Sequence, residues 1–487
     1  MNPGLKIKKH TILSENDYRM IHNATCRLLS ELGVEITSPA AISLFKNAGA
    51  VYEDGRVKIP ESLIDRAIQQ TGKQFDMPAR NPKQSLRIDT ENPSIYFGTG
   101  GEALNVLNYK NGVFEKKSAD TNDLVNIIRI CDKLDNVDFF TRPVEPDVSE
   151  DKQDVEKTRL FLEHTTKPLN LANLIQLEKL PEIIKTAGDK SQLSFISCVA
   201  QSPMKLVSPT VEKFMEIVKQ DIPVAISSCP QGGTTAPLSE PGELIQLNAE
   251  ILSVIVLANL VKPGAKVLYR GIPITANLHL DGSPRWSQPD SIRRVAAKSG
   301  LTGFYNIPCC GTTAVSDEKD PNAQNLSEKA LGWVFEAACG AQYINSALGM
   351  MEQVMTVSPE QYIMDDMALT KIKKLFRENP DYDIKTLAET AVNEVLQRFG
   401  AEISDPVKQE ISRRVDYILN AKESYDQENM DKQVEIIKKA VLSGRSSNIF
   451  MKASRAGIRQ GWLYTGERID SNIVLEEVLQ RRNELLA

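Results

Sequence analysis

The chain is predicted to be α/β: a (β/α)8 TIM barrel with an N-terminal accessory layer and a helical C-terminal subdomain. Two observations predict this. Between residues 94 and 376, eight short apolar or β-branched runs, each closed by a Gly, Pro or polar loop, alternate with eight helix candidates. The runs are nearly continuous in apolar residues, as suits parallel strands covered by helices. A doubly wound open sheet is the competing arrangement of the same alternation.

Residues 1–93 form the accessory layer. Ser14 is placed to cap a helix running to about Leu32, in which Tyr18, Ile21, Thr25, Leu28 and Leu29 keep helical spacing and Gly33 is the stop. A strand pair around Val51 and Val57 turns at Asp54-Gly55, and a helix starts behind Pro60.

The eight barrel runs are "SIYFGTGG" from Ser94, "VDFFTRP" from Val137, "PLNLAN" from Pro168, "LSFISCVAQSP" from Leu193, "PVAISSCP" from Pro223, "KVLYRGIP" from Lys266, "LTGFYNIPCCG" from Leu301 and "QYINSALGMM" from Gln342. Helices are expected near residues 121–134, 153–165, 177–186, 209–219, 240–261, 289–298, 327–340 and 359–375. From residue 377 the rhythm stops. Ile384, Leu387, Ala388, Ala391, Val392, Val395, Leu396 and Phe399 make an amphipathic stripe closed by Gly400, and further helices start near Asp405, Gln427 and Asn472. The basic stretch "SGRSSNIFMKASRAG" reads as a surface loop or as a docking surface for an acidic partner.

Composition narrows the function classes. With 487 residues, 41% hydrophobic, 25% charged and a net charge of -6, nucleic acid and a membrane surface are not expected partners. The first residues carry no apolar signal region, and the apolar run "ILSVIVLANLV" of residues 251–261 is too short to span a bilayer. Seven cysteines, an odd count, suit reduced thiols in a cytoplasm.

In such a barrel the site is built by the loops after the strands. Those positions lack paired carboxylates beside a histidine; of four histidines, His10, His22 and His164 lie elsewhere, so acid/base chemistry is poorly supplied. Cys198, Cys229, Cys309 and Cys310 fall at strand ends and could hold zinc with His279, or simply line the barrel. Tyr96, Phe97, Phe140, Tyr269, Phe304 and Tyr305 also fall there, a set that could cage a quaternary ammonium or fill the barrel core. Arg142 and Arg270 could clamp a carboxylate or pair with acids at the rim.

The stretch "SSCPQGGTTAPLSEPGELIQLNAEILSVIVLANLVKPGAKVLYRG" resembles the trimethylamine methyltransferase superfamily. So do "IYFGTGGEALNV", residues 317–367 from "DEKDPNAQNLSEKALGWVFEAACG" to "MDDM", and "GWLYTGERI". The resemblance covers nearly the whole chain. It implies a TIM barrel that moves a methyl group from a methylated amine to the cobalt of a corrinoid on a cognate protein. The archaeal trimethylamine enzymes of the superfamily carry pyrrolysine near the eighth strand, whereas the matching "SALGMMEQV" here holds only ordinary residues. The chain is thus similar to the non-pyrrolysine branch, which demethylates quaternary amines. Glycine betaine, giving dimethylglycine, is the leading substrate; proline betaine, carnitine and γ-butyrobetaine are the alternatives.

On that resemblance Tyr96, Phe97 and Tyr305 are expected to hold the trimethylammonium, Arg270, Arg142 or His279 the carboxylate, and Glu352 to add a counter-charge, with Gln231 as a polar contact. Gly100, Gly101, Gly232, Gly233, Gly311 and Met350 would let the corrinoid approach. A quaternary nitrogen leaves as a neutral amine, so no general acid is assigned, and no metal site is assigned. The corrinoid is expected on a separate protein, since no Asp-x-His-x-x-Gly pattern is found. A zinc-dependent thiol or alcohol methyltransferase using Cys309 or Cys310 with His279, and a betaine-binding barrel without catalysis, are the rival readings. A homo-oligomer is a further expectation.

Overall fold

The computed structural model describes residues 1–312 and 315–487. Local signals account for the N-terminal part. Ser14 caps the helix Glu15–Glu31 through a capping box with Asp17, and Gly33 follows at φ 69°. The strand Val34–Ile36 then pairs with the hairpin Val51–Glu53 and Arg56–Lys58, turned at Asp54-Gly55. Helix Glu61–Gln70 begins behind Pro60. Helix Pro39–Asn47 and the hairpin Gln74–Met77 with Leu86–Asp89 are additions that apolar spacing did not single out.

The chain is a mixed α/β protein in which eight parallel strands alternate with helices: β1 (Tyr96–Thr99), β2 (Phe140–Thr141), β3 (Leu169–Asn170), β4 (Leu193–Ser197), β5 (Val224–Ser228), β6 (Val267–Gly271), β7 (Cys310–Gly311) and β8 (Tyr343–Leu348). Ladders join β2 to β3, β3 to β4, β4 to β5, β5 to β6, and β7 to β8. Single parallel bridges, Gly98 to Phe139 and Tyr269 to Cys309, join β1 to β2 and β6 to β7. Strand β8 pairs with β1 in parallel. Every strand therefore has two neighbours of this set.

Two differences from the expected elements have simple causes. Leu301–Phe304, grouped with the seventh run, completes the helix Pro289–Phe304, and the strand shrinks to Cys310–Gly311 behind Pro308. The basic stretch near residue 450 is not a loop but the helix Ser446–Arg459, which buries Phe450, Ser454 and Gly457. A hairpin, Asn105–Lys110 with Val113–Ser118, is inserted after β1.

Helix Glu240–Val261 is the hub. It is longer than the apolar run inside it and, by length and composition, could cross a membrane, yet 89% of its most apolar window is buried inside the protein. The helices Glu15–Glu31, Glu61–Gln70 and Gln427–Leu442 pack on it. Its buried charges all have partners, as burial demands: Glu243 pairs with Arg294 at 2.8 Å, and Glu250 accepts from Ser202 Oγ at 2.7 Å, the Met204 amide at 3.0 Å and Ser228 Oγ.

Candidate substrate site at the open end of the strand ring

Alternation along each strand sorts side chains into two sets. Tyr96, Phe139, Ile196, Ala225, Leu268, Cys310 and Tyr343 form one apolar cluster inside the ring. Their neighbours Phe97, Phe140, Phe195, Ile226, Tyr269, Cys309 and Ile344 belong to the other cluster, packed under the helices. The inner cluster is completed by Phe75, Met77, Leu86 and Ile88 of the hairpin over residues 74–89. That hairpin closes the ring at the end where the strands begin.

Two residues further along the strands, the lining changes from apolar to polar. Beyond Leu268 comes Arg270, beyond Ala225 Ser227, and beyond Tyr343 Asn345. Arg270 donates to Asn345 Oδ1 at 3.3 Å and to Ser227 Oγ. Among the described residues no carboxylate lies within ion-pairing distance of Arg270. Asn345 also accepts from Cys310 Sγ at 3.6 Å, while its Nδ2, although buried, has no partner among the described residues. An uncompensated guanidinium beside an unused amide donor is an anion-binding arrangement.

Cys198 and Cys229, at the ends of β4 and β5, reach solvent. Protein nevertheless surrounds Cys229 closely enough to push its thiol up to about 12, with Arg270 nearby opposing the rise. A group both reachable and enclosed lines a recess. Such a thiol is protonated near neutrality and is no ready nucleophile. Around the recess Asn173 Nδ2 donates to Glu102 Oε1 at 3.0 Å, and Asn173 Oδ1 accepts from the Cys198 amide at 3.2 Å.

Other expected site residues are placed elsewhere, for physical reasons. Tyr96 is inside the ring but at its closed end, where its hydroxyl meets backbone oxygens of Asn2 and Arg87, both at 3.3 Å. Phe97 faces the helices, under Lys373 Nζ at 4.8 Å. Tyr305 caps helix Pro289–Phe304 outside the ring, its hydroxyl accepting from Asn248 Nδ2 at 2.8 Å. These three aromatics therefore form no cage. Arg142 is buried and already paired with Glu102, at 2.7 Å, and with Glu145. Glu352 is neutralised by Lys116 at 2.6 Å. Gln231 ties its loop to the next one, donating to Gly282 O at 3.0 Å.

The glycines expected to admit a corrinoid instead admit neighbouring protein. A Cβ on Gly100 would lie 2.0 Å from the buried Met350 side chain, and one on Gly233 2.7 Å from Leu278. Gly232 and Gly311 face the carboxylates of Glu243 and Glu336, and Gly101 faces Thr141. The expected zinc set does not converge either. Cys309 points outward towards Lys298 and Cys310 inward, so neighbouring residues fall on opposite faces of β7.

His279 lines a cleft of ≈ 410 Å³ with Arg285, Asp317, Gln353 and Tyr464. The C-terminal segment forms one wall: Arg285 donates to Tyr464 O at 2.7 Å, and the Tyr464 amide to Asp290 Oδ1 at 3.2 Å. Burial, and then the neighbouring Glu328, raise the Asp317 carboxyl above its ordinary range.

Ser227 and Asn345 escaped the sequence reading because neither is a chemically loud residue. The signal that could have found them is strand parity: both stand two positions after an inner apolar residue, on the same face as Arg270, to which both are hydrogen-bonded.

The family model for trimethylamine methyltransferase (MTTB) matches residues 2–400. Among curated relatives, trimethylamine methyltransferase MttB of Methanosarcina barkeri is 29% identical over 423 residues, 84% of each chain. MttB of Desulfitobacterium hafniense is 28% identical over 379 residues, 74% of each. The L-carnitine:corrinoid methyltransferase of Eubacterium limosum is 25% identical over 394 residues, 75% of this chain and 77% of its own. With the family model spanning residues 2–400 of 487, the chain belongs to the trimethylamine methyltransferase (MTTB) family.

Proposed function

We propose that this chain moves a methyl group from a carboxylate-bearing quaternary amine to the Co(I) of a corrinoid carried by a separate protein, with glycine betaine as the leading substrate. In this reading residues 94–376 are a closed (β/α)8 barrel in a cytoplasmic protein, residues 1–93 and 377–487 flank it, and copies of the chain associate as a homo-oligomer. The observation that carries the proposal is Arg270. Trimethylamine has no anionic group for it, whereas every betaine does.

Arg270 and Asn345 Nδ2 receive the carboxylate at the bottom of the recess. The ammonium then lies towards the rim; Glu102 and Glu352 are each already paired, with Arg142 and Lys116, so no free carboxylate is assigned as its counter-charge. This orientation directs the methyl groups towards the opening, where the acceptor is presented. The cobalt, as acceptor, supplies the nucleophile; the chain supplies position and a dry recess. The amine departs neutral, so the absence of an ionised thiol or a free general acid at Arg270 is no obstacle.

Proline betaine, carnitine and γ-butyrobetaine share the carboxylate and remain the alternatives; the Eubacterium limosum relative acts on one of them. The test is formation of methylcobalamin from cob(I)alamin with a panel of these betaines, tetramethylammonium and trimethylamine. Turnover confined to the carboxylate-bearing compounds supports the proposal. Equal turnover of tetramethylammonium or trimethylamine overturns it, as does demethylation without any Co(I) corrinoid.

A further inference from the structure

Outside the strand ring, three side chains of metal-ligand type, His22, Cys26 and Glu61, meet between two helices, with Asp65 beside His22. His22 and Cys26 are one turn apart on Glu15–Glu31, and Glu61 and Asp65 are one turn apart on Glu61–Gln70. One ligand atom each from His22, Cys26 and Glu61 lie within 4.8 Å of one another. Cys26 Sγ is 3.5 Å from His22 Nε2, and Asp65 Oδ1 is 3.5 Å from the same nitrogen.

We propose that His22, Cys26, Glu61 and Asp65 are the ligands of a structural zinc ion that ties the first helix to helix Glu61–Gln70. The spacing carries the argument. With Zn–N and Zn–O near 2.1 Å and Zn–S near 2.3 Å, neighbouring ligand atoms of a tetrahedral site stand about 3.4–3.6 Å apart. The separations from His22 Nε2 to Cys26 Sγ and Asp65 Oδ1 fall there, and the Glu61 carboxylate, within 4.8 Å of the His22 and Cys26 atoms, draws in when the ion binds. A thiol with an imidazole selects zinc over magnesium or calcium, which take oxygen ligands.

The surroundings suit a bound ion as well. His22 Nδ1 is 3.2 Å from the Tyr305 hydroxyl, which is held in turn by Asn248 on the hub helix. This contact engages Nδ1 and leaves Nε2 to face the ion, as is usual around a ligating histidine; Cys26 Sγ, 3.5 Å from Nε2 and 3.9 Å from Nδ1, turns away from the ring edge towards the Nε2 side when the ion binds. Cys26 is buried, whereas Glu61 is exposed and the Asp65 side chain is 47% exposed, so the ion has an entry path. Binding displaces the Cys26 thiol proton to solvent and sets the ion between two carboxylates. Tyr305 thereby becomes a positioning residue for this site rather than part of a substrate cage.

The test uses the full-length chain stripped with a chelator and titrated with Zn²⁺, then with Co²⁺ as a spectroscopic probe. One zinc per chain and a thiolate-to-cobalt charge-transfer band are expected. Cys26→Ser should abolish the band, and His22→Gln should weaken zinc by ~100-fold or more. Should these variants fold poorly, Glu61→Gln, altering an exposed side chain, is expected to keep the circular-dichroism spectrum of the parent and still weaken zinc. The thermal midpoint should rise with zinc in the parent but not in Cys26→Ser. Failure to bind one equivalent, or stoichiometric binding that survives both Cys26→Ser and Glu61→Gln, overturns the proposal.

Discussion

The two ends of the strand ring are made from the same eight strands and solve opposite problems. At the closed end Phe139 and Tyr343 stack with centroids 3.6 Å apart, and a Cβ on Gly98 would fall 2.2 Å from the Phe139 ring. At the open end buried polar atoms are left unused: Asn345 Nδ2, Thr141 Oγ1 and Thr312 Oγ1 have no partner among the described residues, and Arg270 has no counter-ion. Dense apolar packing stabilises, whereas unsatisfied polar groups cost about 1–3 kcal/mol each. Such atoms occur elsewhere too, the Tyr343 hydroxyl included, but at the open end they gather beside a guanidinium without an acidic partner among the described residues, where a ligand can supply the missing partners.

The comparison is broken most severely by emptying the closed end. Phe139→Ala is expected to lower the unfolding free energy by ~3–5 kcal/mol, the range for a fully buried aromatic. Urea denaturation measures this, and the KM for the betaine substrate in the folded fraction should stay put. A raised KM with little loss of stability would place Phe139 in the substrate site and dissolve the distinction between the ends.

The reciprocal change is Arg270→Gln. Loss of a half-buried charge partner for the substrate carboxylate predicts a fall in kcat/KM of ~2–4 kcal/mol, about 30- to 1,000-fold, read as methylcobalamin formation. The thermal midpoint should move little, since among the described residues Arg270 pairs with no carboxylate and only its hydrogen bonds to Ser227 and Asn345 are lost. Unchanged kcat/KM would remove the site from this end.

A gentler probe is pH at the neighbouring cleft. Burial together with Glu328 pushes the Asp317 carboxyl from 3.8 to about 7. The folded state therefore holds the Asp317 proton more tightly than the unfolded state, and this contribution to stability falls as pH rises from about 4 to about 7. Thermal midpoints across that window should decline in the parent and less steeply in Asp317→Asn, the remaining slope coming from other carboxyls that burial raises, Glu328 and Glu423 among them. An identical slope in both proteins would refute the assignment to Asp317.

Much of the architecture was legible because it is written in local chemistry. The hub helix starts and ends where Ser239, Pro241 and the Lys262-Pro263 step dictate, at Glu240 and Val261. Ser14 and Asp17 likewise announce a capping box. The 74–89 hairpin was harder: its strands are four residues each, and only their packing against Tyr96 and Phe139 gives them a role. Leu301–Phe304 looked like a strand start because a short apolar run has no periodicity to separate strand from helix.

The site was legible in its kind of residue but not in its membership. Arg142 and Arg270 are equivalent as letters at strand ends; one is held by Glu102 and Glu145, and the other has no acidic partner among the described residues. Tyr96 and Tyr305 likewise carry the same ring to opposite sides of one wall.

By itself, then, the sequence determined the alternation of strands and helices, the helix caps and the family, because these depend on neighbours a few residues apart or on motifs read along the chain. Only the tertiary structure decided which face and which end of the ring each side chain occupies, and so which charges are compensated. Those properties depend on strand register and on contacts between residues far apart in the chain, such as Arg270 with Asn345 and His22 with Tyr305.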